Sequence, residues 1–250
     1  MKLVLVCSMA VLSVVCAGGA AAQASNNNIT GSFGFTTTGV CLVAPGHVGD
    51  PTVPPPVSNP TPGVALPNSG FNANLQPSDI SSGTTVSFST SFETRGIRTF
   101  NGDGTGTVSG RVVGTTVRPT PGPNGFPHFP PSAGSSNFTF SFTYTVDGNG
   151  GWTSTMVPGS YTQTFLTGPR TGQTGTIDAL PPTAGTISLD GRMLISAEDT
   201  PAVEVHTYSN GDVDPQICHR STVFIAIGTL PPGGVGPGGT GRFSSPATGR

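Results

Sequence analysis

The sequence predicts an all-β protein: an antiparallel up-and-down barrel of about 8–10 strands, with a β-sandwich as the alternative. Three observations carry that expectation. Apolar and polar residues alternate with period two in short runs, tight-turn dipeptides separate the runs, and two cysteines, Cys41 and Cys218, stand near the two ends of the patterned region.

The first run, residues 33–43, alternates Phe33, Phe35, Thr37, Gly39, Cys41 and Val43. Two more, 86–100 and 105–117, are joined by Asn101-Gly102-Asp103-Gly104. Residues 137–146 (NFTFSFTYTV) set Phe138, Phe140, Phe142, Tyr144 and Val146 on one face and Thr and Ser on the other, because successive side chains of a strand point to opposite faces. Asp147-Gly148-Asn149-Gly150 leads into residues 151–157, and further runs cover 160–165, 174–177, 186–189, 192–197, 202–208 and 217–228. Asp190-Gly191 and Asn210-Gly211 supply more turns, and such dipeptides accept the positive φ that tight hairpins need. No helical segment lies between the runs. Parallel strands would need crossovers of a dozen or more residues, so the strands are expected to be antiparallel.

Residues 1–24 read as a secretory signal peptide: Lys2 opens it, an apolar stretch runs from Leu3 to Val15, and Ala22-Gln23-Ala24 offers the small-residue cleavage pattern. The expected cut follows Ala24 and sends the chain to the periplasm or the medium. The apolar stretch is shorter than the roughly 20 residues a spanning helix needs, and no later run reaches that length, so no transmembrane helix is expected in the mature chain. Residues 25–230 are expected to form one barrel domain, interrupted by proline-rich loops at 44–83 and 119–136. Residues 231–250 form a Gly/Pro/Ser tail whose composition predicts disorder.

Without residues 1–24 the chain holds nine arginines and no lysine against twelve acidic residues, a formal charge of −3. It has no basic face of the kind that grips a phosphate backbone, which argues against nucleic acid. Cys7 and Cys16 leave with the signal. Cys41 and Cys218 remain, and in an oxidising compartment they are expected to form a disulfide. Bridged Cα atoms usually lie within about 7 Å, so the first and last strands become neighbours, as barrel closure requires. Neither cysteine sits in a C-x-x-C pair, so the spacing for thiol redox chemistry or zinc is missing.

The runs GSFGF (31–35), FNGDGTGTVSG (100–110) and FLTGPRTGQT (165–174) resemble uncharacterised exported bacterial proteins with calycin-like or related small barrels. The resemblance implies a barrel and no activity, and it transfers no functional residue.

Familiar catalytic strings are missing. There is no lysine for a P-loop after Lys2, no G-x-S-x-G, no H-E-x-x-H and no S-x-x-K, and no cofactor or metal is predicted. The turns Asn101-x-Asp103-x-Thr105 and Asn210-x-Asp212-x-Asp214 carry oxygen ligands at alternate positions, but they lack the bidentate Glu and the flanking helices of a calcium loop and read as hairpin turns. Glu204 and His206 share one strand face. A hairpin at 210–214 would bring Cys218, His219 and Arg220 beside them, which makes Glu204, His206 and His219 the acid/base candidates. The same placement also reads as a plain Glu204–Arg220 ion pair. Phe138, Phe140, Phe142, Tyr144, Trp152, Met156, Tyr161 and Phe165 are expected to fill the core, or alternatively to wall a cavity for a small apolar ligand. Three functions follow: a non-catalytic binding or structural module, a barrel enzyme of isomerase or lyase type, and an outer-membrane barrel. Several runs of four to six residues fall short of the about 9–11 that a spanning strand needs.

Overall fold

The period-two runs become eleven strands in a computed structural model, which describes residues 25–26, 29–44, 70–77, 87–117, 131–198 and 200–228. The strands are β1 (Thr30–Val43), β2 (Phe88–Asn101), β3 (Thr105–Val117), β4 (Ser132–Val146), β5 (Gly151–Met156), β6 (Thr162–Thr167), β7 (Thr174–Ile177), β8 (Thr183–Ile187), β9 (Met193–Ala197), β10 (Val203–Tyr208) and β11 (Val213–Ala226). All pairings are antiparallel. β1 pairs with β2 on one side and β11 on the other, from Phe33↔Ala226 to Val43↔Gln216, so the sheet closes into a barrel.

The ring closes by two routes of eight strands each, β1-β2-β3-β4-β5-β8-β9-β11 and β1-β2-β3-β4-β6-β7-β10-β11. β4 pairs with β6 through Ser135–Thr139 and with β5 through Phe142–Val146. β11 pairs with β10 through Val213–Ile217 and with β9 through Ser221–Ile225. The architecture is therefore eleven strands in two tiers, where the sequence suggested a simple up-and-down meander. The reason is length. Strands of 13–15 residues reach about 45–50 Å at 3.3 Å per residue, and strands of four to six cover less than half of that. Two short-strand tiers, β5/β8/β9 and β6/β7/β10, stack to face one long wall.

Two boundaries differ from expectation. β4 begins at Ser132, inside the stretch read as a proline-rich loop, and its first residues pair with β3 and, from Ser135 on, with β6, across a bulge at Ser135/Ser136. Residues 70–77 lie in the other such stretch, yet Phe71 is buried in one cluster with Ala44, Val203 and Val205. The signal segment, the C-terminal tail and the rest of both proline-rich stretches lie outside the described residues.

The long wall packs its rings onto glycines. Directly opposed across strands are Phe35 and Gly96, Phe92 and Gly39, Phe142 and Gly106, and Phe138 and Gly110. A Cβ on Gly106 would sit 2.3 Å from Phe142 Cζ and equally close to the Thr99 carbonyl oxygen, and one on Gly39 would sit 2.3 Å from Phe92 Cζ. Gly106→Val is therefore expected to destabilise the fold by about 2–3 kcal/mol through overpacking, measured by urea denaturation. A midpoint equal to the parent's would show that the ring is free to move aside.

One end of the barrel, at the β2–β3 hairpin, is filled. Ile29, Phe33, Phe100, Phe142, Tyr144, Trp152, Leu194 and Phe224 are buried there. The Phe100 ring meets Phe33, Phe142 and Tyr144 edge-on at 5.0–5.4 Å. Tyr144 donates its hydroxyl to the Ile29 carbonyl at 2.9 Å and accepts from the Gly102 N–H at 3.0 Å. The outward face carries hydroxyl pairs across strands, such as Thr145–Thr153 at 2.8 Å and Thr139–Thr162 at 3.0 Å. β4 thus turns its aromatics inward and its threonines outward, opposite to a lipid-facing strand.

Candidate functional site

Above the filled end the barrel is hollow, with a cavity of about 560 Å³. The sequence left core filling and cavity wall open for these aromatics, and they take part in both. The aromatic alternation of β4 does both jobs: Phe142 and Tyr144, with Trp152 of β5, close the core, while Phe138 and Phe140 of β4 and Phe165 of β6 line the cavity. Phe138 and Phe140 stack on Tyr161 with centroids at 6.0 Å. Phe35, Val108, Val112 and Met156 extend the apolar surface, and Thr and Ser hydroxyls are interspersed among them. Thr116 of β3, Ser132 of β4 and the turns holding Arg170 and Asn210 also contribute to the lining. Both proline-rich stretches leave and rejoin the barrel at the strand ends on this side, after β1 and β3 and before β2 and β4.

β10 and β11 supply a buried polar cluster. Glu204 is fully buried, with Oε1 accepting from Gln216 Nε2 at 2.8 Å and from Arg220 Nη2, and lying 3.4 Å from His206 Nε2. Gln216 also reaches the His206 ring, and Arg220 Nη1 donates to Glu198 Oε1 at 2.6 Å. Burial pushes the Glu204 carboxyl up, but the Arg220 guanidinium and His206 outweigh it and hold the group at about 2. Burial lifts Glu198 above the usual carboxylate range despite Arg220, and it lifts the Tyr161 and Tyr208 hydroxyls as well. Among the acid/base candidates, the structure brings Glu204 and His206 together on the cavity side. His219 is exposed and projects from the outer face of β11, because it is one residue from Cys218 and Arg220, which point inward. A carboxylate locked into an ion pair is a poor base, and the third candidate faces solvent.

The Cys41–Cys218 disulfide forms between directly opposed residues of β1 and β11 with Cα atoms 4.0 Å apart. Glu204 Oε1 lies 3.0 Å from Cys218 Sγ. Cys41, Glu204 and Cys218 are close enough together to suggest a metal site, but oxidised sulfurs are not thiolate ligands. At the rim, Arg170 stacks 3.5 Å over the Tyr208 ring and donates to Asp212 at 2.9 Å and Asp214 at 3.0 Å. Arg170 thus engages one carboxylate oxygen of each of the two aspartates of the 210–214 turn. In the other acidic turn, Asp103 accepts from the Thr105 N–H at 2.9 Å and from its hydroxyl at 2.7 Å, an ordinary hairpin arrangement.

No sequence motif marks Arg98. It lies on β2 in alternation with Phe88, Phe92, Thr94 and Phe100, so the period-two pattern alone puts a charge on the inward face. The side chain is only 6% exposed, lines the cavity at the boundary with the filled end, and holds its guanidinium carbon 3.7 Å over the Phe142 ring. Burial lowers it to about 9, so it remains protonated at neutral pH.

No family model, curated protein or solved structure matches the chain. The likeness to exported small barrels therefore rests on the sequence runs alone, and the site is read from its own geometry.

Proposed function

We propose that the protein is an exported, non-catalytic binding barrel that takes a small, largely apolar molecule into its cavity. The observation behind this reading is the half-hollow interior: about 560 Å³ lies within the range of small-molecule pockets, walled by Phe35, Phe138, Phe140, Tyr161 and Phe165 with hydroxyls between them. Export is supported by the signal-like residues 1–24 and by a disulfide suited to an oxidising compartment. No helix among the described residues is long and apolar enough to cross a membrane. Binding is favoured over catalysis because Glu204 is held by Arg220, Gln216 and His206, with His219 outside.

Two measurements test the reading. Native mass spectrometry of the mature protein, purified without detergent, is expected to show a co-purifying small molecule. Titration with the neutral apolar fluorophore N-phenyl-1-naphthylamine is expected to saturate, and Val112→Trp, which projects into the cavity, should weaken that binding roughly tenfold or more. A protein with no adduct and no saturable uptake of the fluorophore is not a receptor for apolar molecules.

A further inference from the structure

Six side chains that are ordinarily charged line the cavity besides His206: Arg98, Arg170, Glu198, Asp212, Asp214 and Arg220. Five are held in ion pairs, Arg170 with Asp212 and Asp214, and Arg220 with Glu198 as well as with Glu204. Arg98 is the exception. Among the described residues its guanidinium makes one hydrogen bond, from Nη2 to Ser154 Oγ at 2.7 Å, and no ion pair, and its Nε–H is buried without an acceptor.

A buried guanidinium with unused donors is costly unless something satisfies it. The rings of Phe100, Phe142, Trp152 and Phe224 lie within 5.5 Å of its carbon and offset part of that cost. They cannot accept the in-plane N–H groups, which match the two oxygens of a carboxylate. Beyond Arg98 the cavity is lined by Val108, Val112, Phe138, Phe140 and Met156. Resting on the binding function proposed above, we infer that the ligand is a small organic acid, its carboxylate seated on Arg98 at the inner end of the cavity and its apolar body lying along those side chains.

The test compares matched ligands that differ only in the head group: decanoate with decanol, and 4-phenylbutyrate with 4-phenylbutanol, titrated calorimetrically into the mature protein at pH 7. The parent protein is expected to bind each acid about tenfold or more tighter than its alcohol. Arg98→Met should abolish that preference while still binding the alcohols and N-phenyl-1-naphthylamine. Arg98→Lys, which keeps the charge but loses the fork, should retain part of it. Equal affinity for acid and alcohol in the parent protein, which needs no variant, overturns the inference and leaves the apolar receptor standing. A preference that survives in Arg98→Met places the anion elsewhere and overturns it too. Failure to bind acids, alcohols and fluorophore alike overturns both the inference and the binding function beneath it.

Discussion

Arg220→Met is expected to cost about 3–5 kcal/mol of folding free energy at neutral pH, because it leaves two carboxylates in the barrel wall without their cation. Glu204 is fully buried and Glu198 nearly so, and in both the second oxygen has no hydrogen-bond partner among the described residues. Arg220 holds one oxygen of each. The sign of the pH dependence follows from Glu204. Burial alone would raise it, but with Arg220 and His206 present it is held near 2, so its stabilising contribution is present above the unfolded carboxylate value and is lost as pH falls through about 4.5 to 2. Glu198, raised chiefly by burial, acts in the opposite sense and is penalised as pH rises above that value. Without Arg220 both carboxyls are expected to behave like Glu198, so the variant should recover much of its deficit at pH 4. Urea denaturation of parent and variant at pH 7 and pH 4 measures this. An equal loss at both pH values would mean that Arg220 matters for packing, for example against the Phe92 ring 5.7 Å away, and not for charge.

Cys41→Ser should lower stability by about 2–5 kcal/mol in non-reducing buffer. The bridge joins residues 177 apart in sequence, and cross-linking a loop of that length removes a large part of the unfolded chain's freedom; the chain-entropy relation gives about 5 kcal/mol as its upper figure. Because the cysteines are already paired in register on β1 and β11, the bridge asks little further movement of the backbone. Reductant should destabilise the parent by a similar amount and leave Cys41→Ser unaffected. A denaturation midpoint unchanged by either treatment would mean that the strand pairing alone holds the seam.

Much of this architecture is legible in the sequence because it depends on local rules. The turns at 101–104, 147–150, 190–191 and 210–211 are occupied as expected, with positive φ at Gly102, Gly104, Gly150, Gly191 and Gly211. Alternation assigns the inward face of β4 and, applied to β2, would have placed Arg98 inside. The same rule separates His219 from Arg220, since adjacent residues cannot both face the cavity. The tiers are less legible, because the pairing of β4 with both β5 and β6 is decided by contacts distant in sequence and not by any property of β4. Hollow and filled ends are indistinguishable on β4 itself. Both present alternate aromatics, and the difference lies in what the opposite wall brings: Trp152 and Leu194 at one end, the smaller and polar Gln163, His206 and Gln216 at the other.

The pairing of β1 with β11 also governs when the barrel can be completed during synthesis. Thr37 finds the hydroxyl of Thr222, 185 residues further along the chain, and every bond on that side of β1 waits for the last strand. A nascent chain therefore carries an open strand edge from its first β-segment until its final one has emerged. Such non-local closure places folding on the order of milliseconds to seconds, and holding that edge away from other chains in the interval becomes a task for the cell rather than for the sequence.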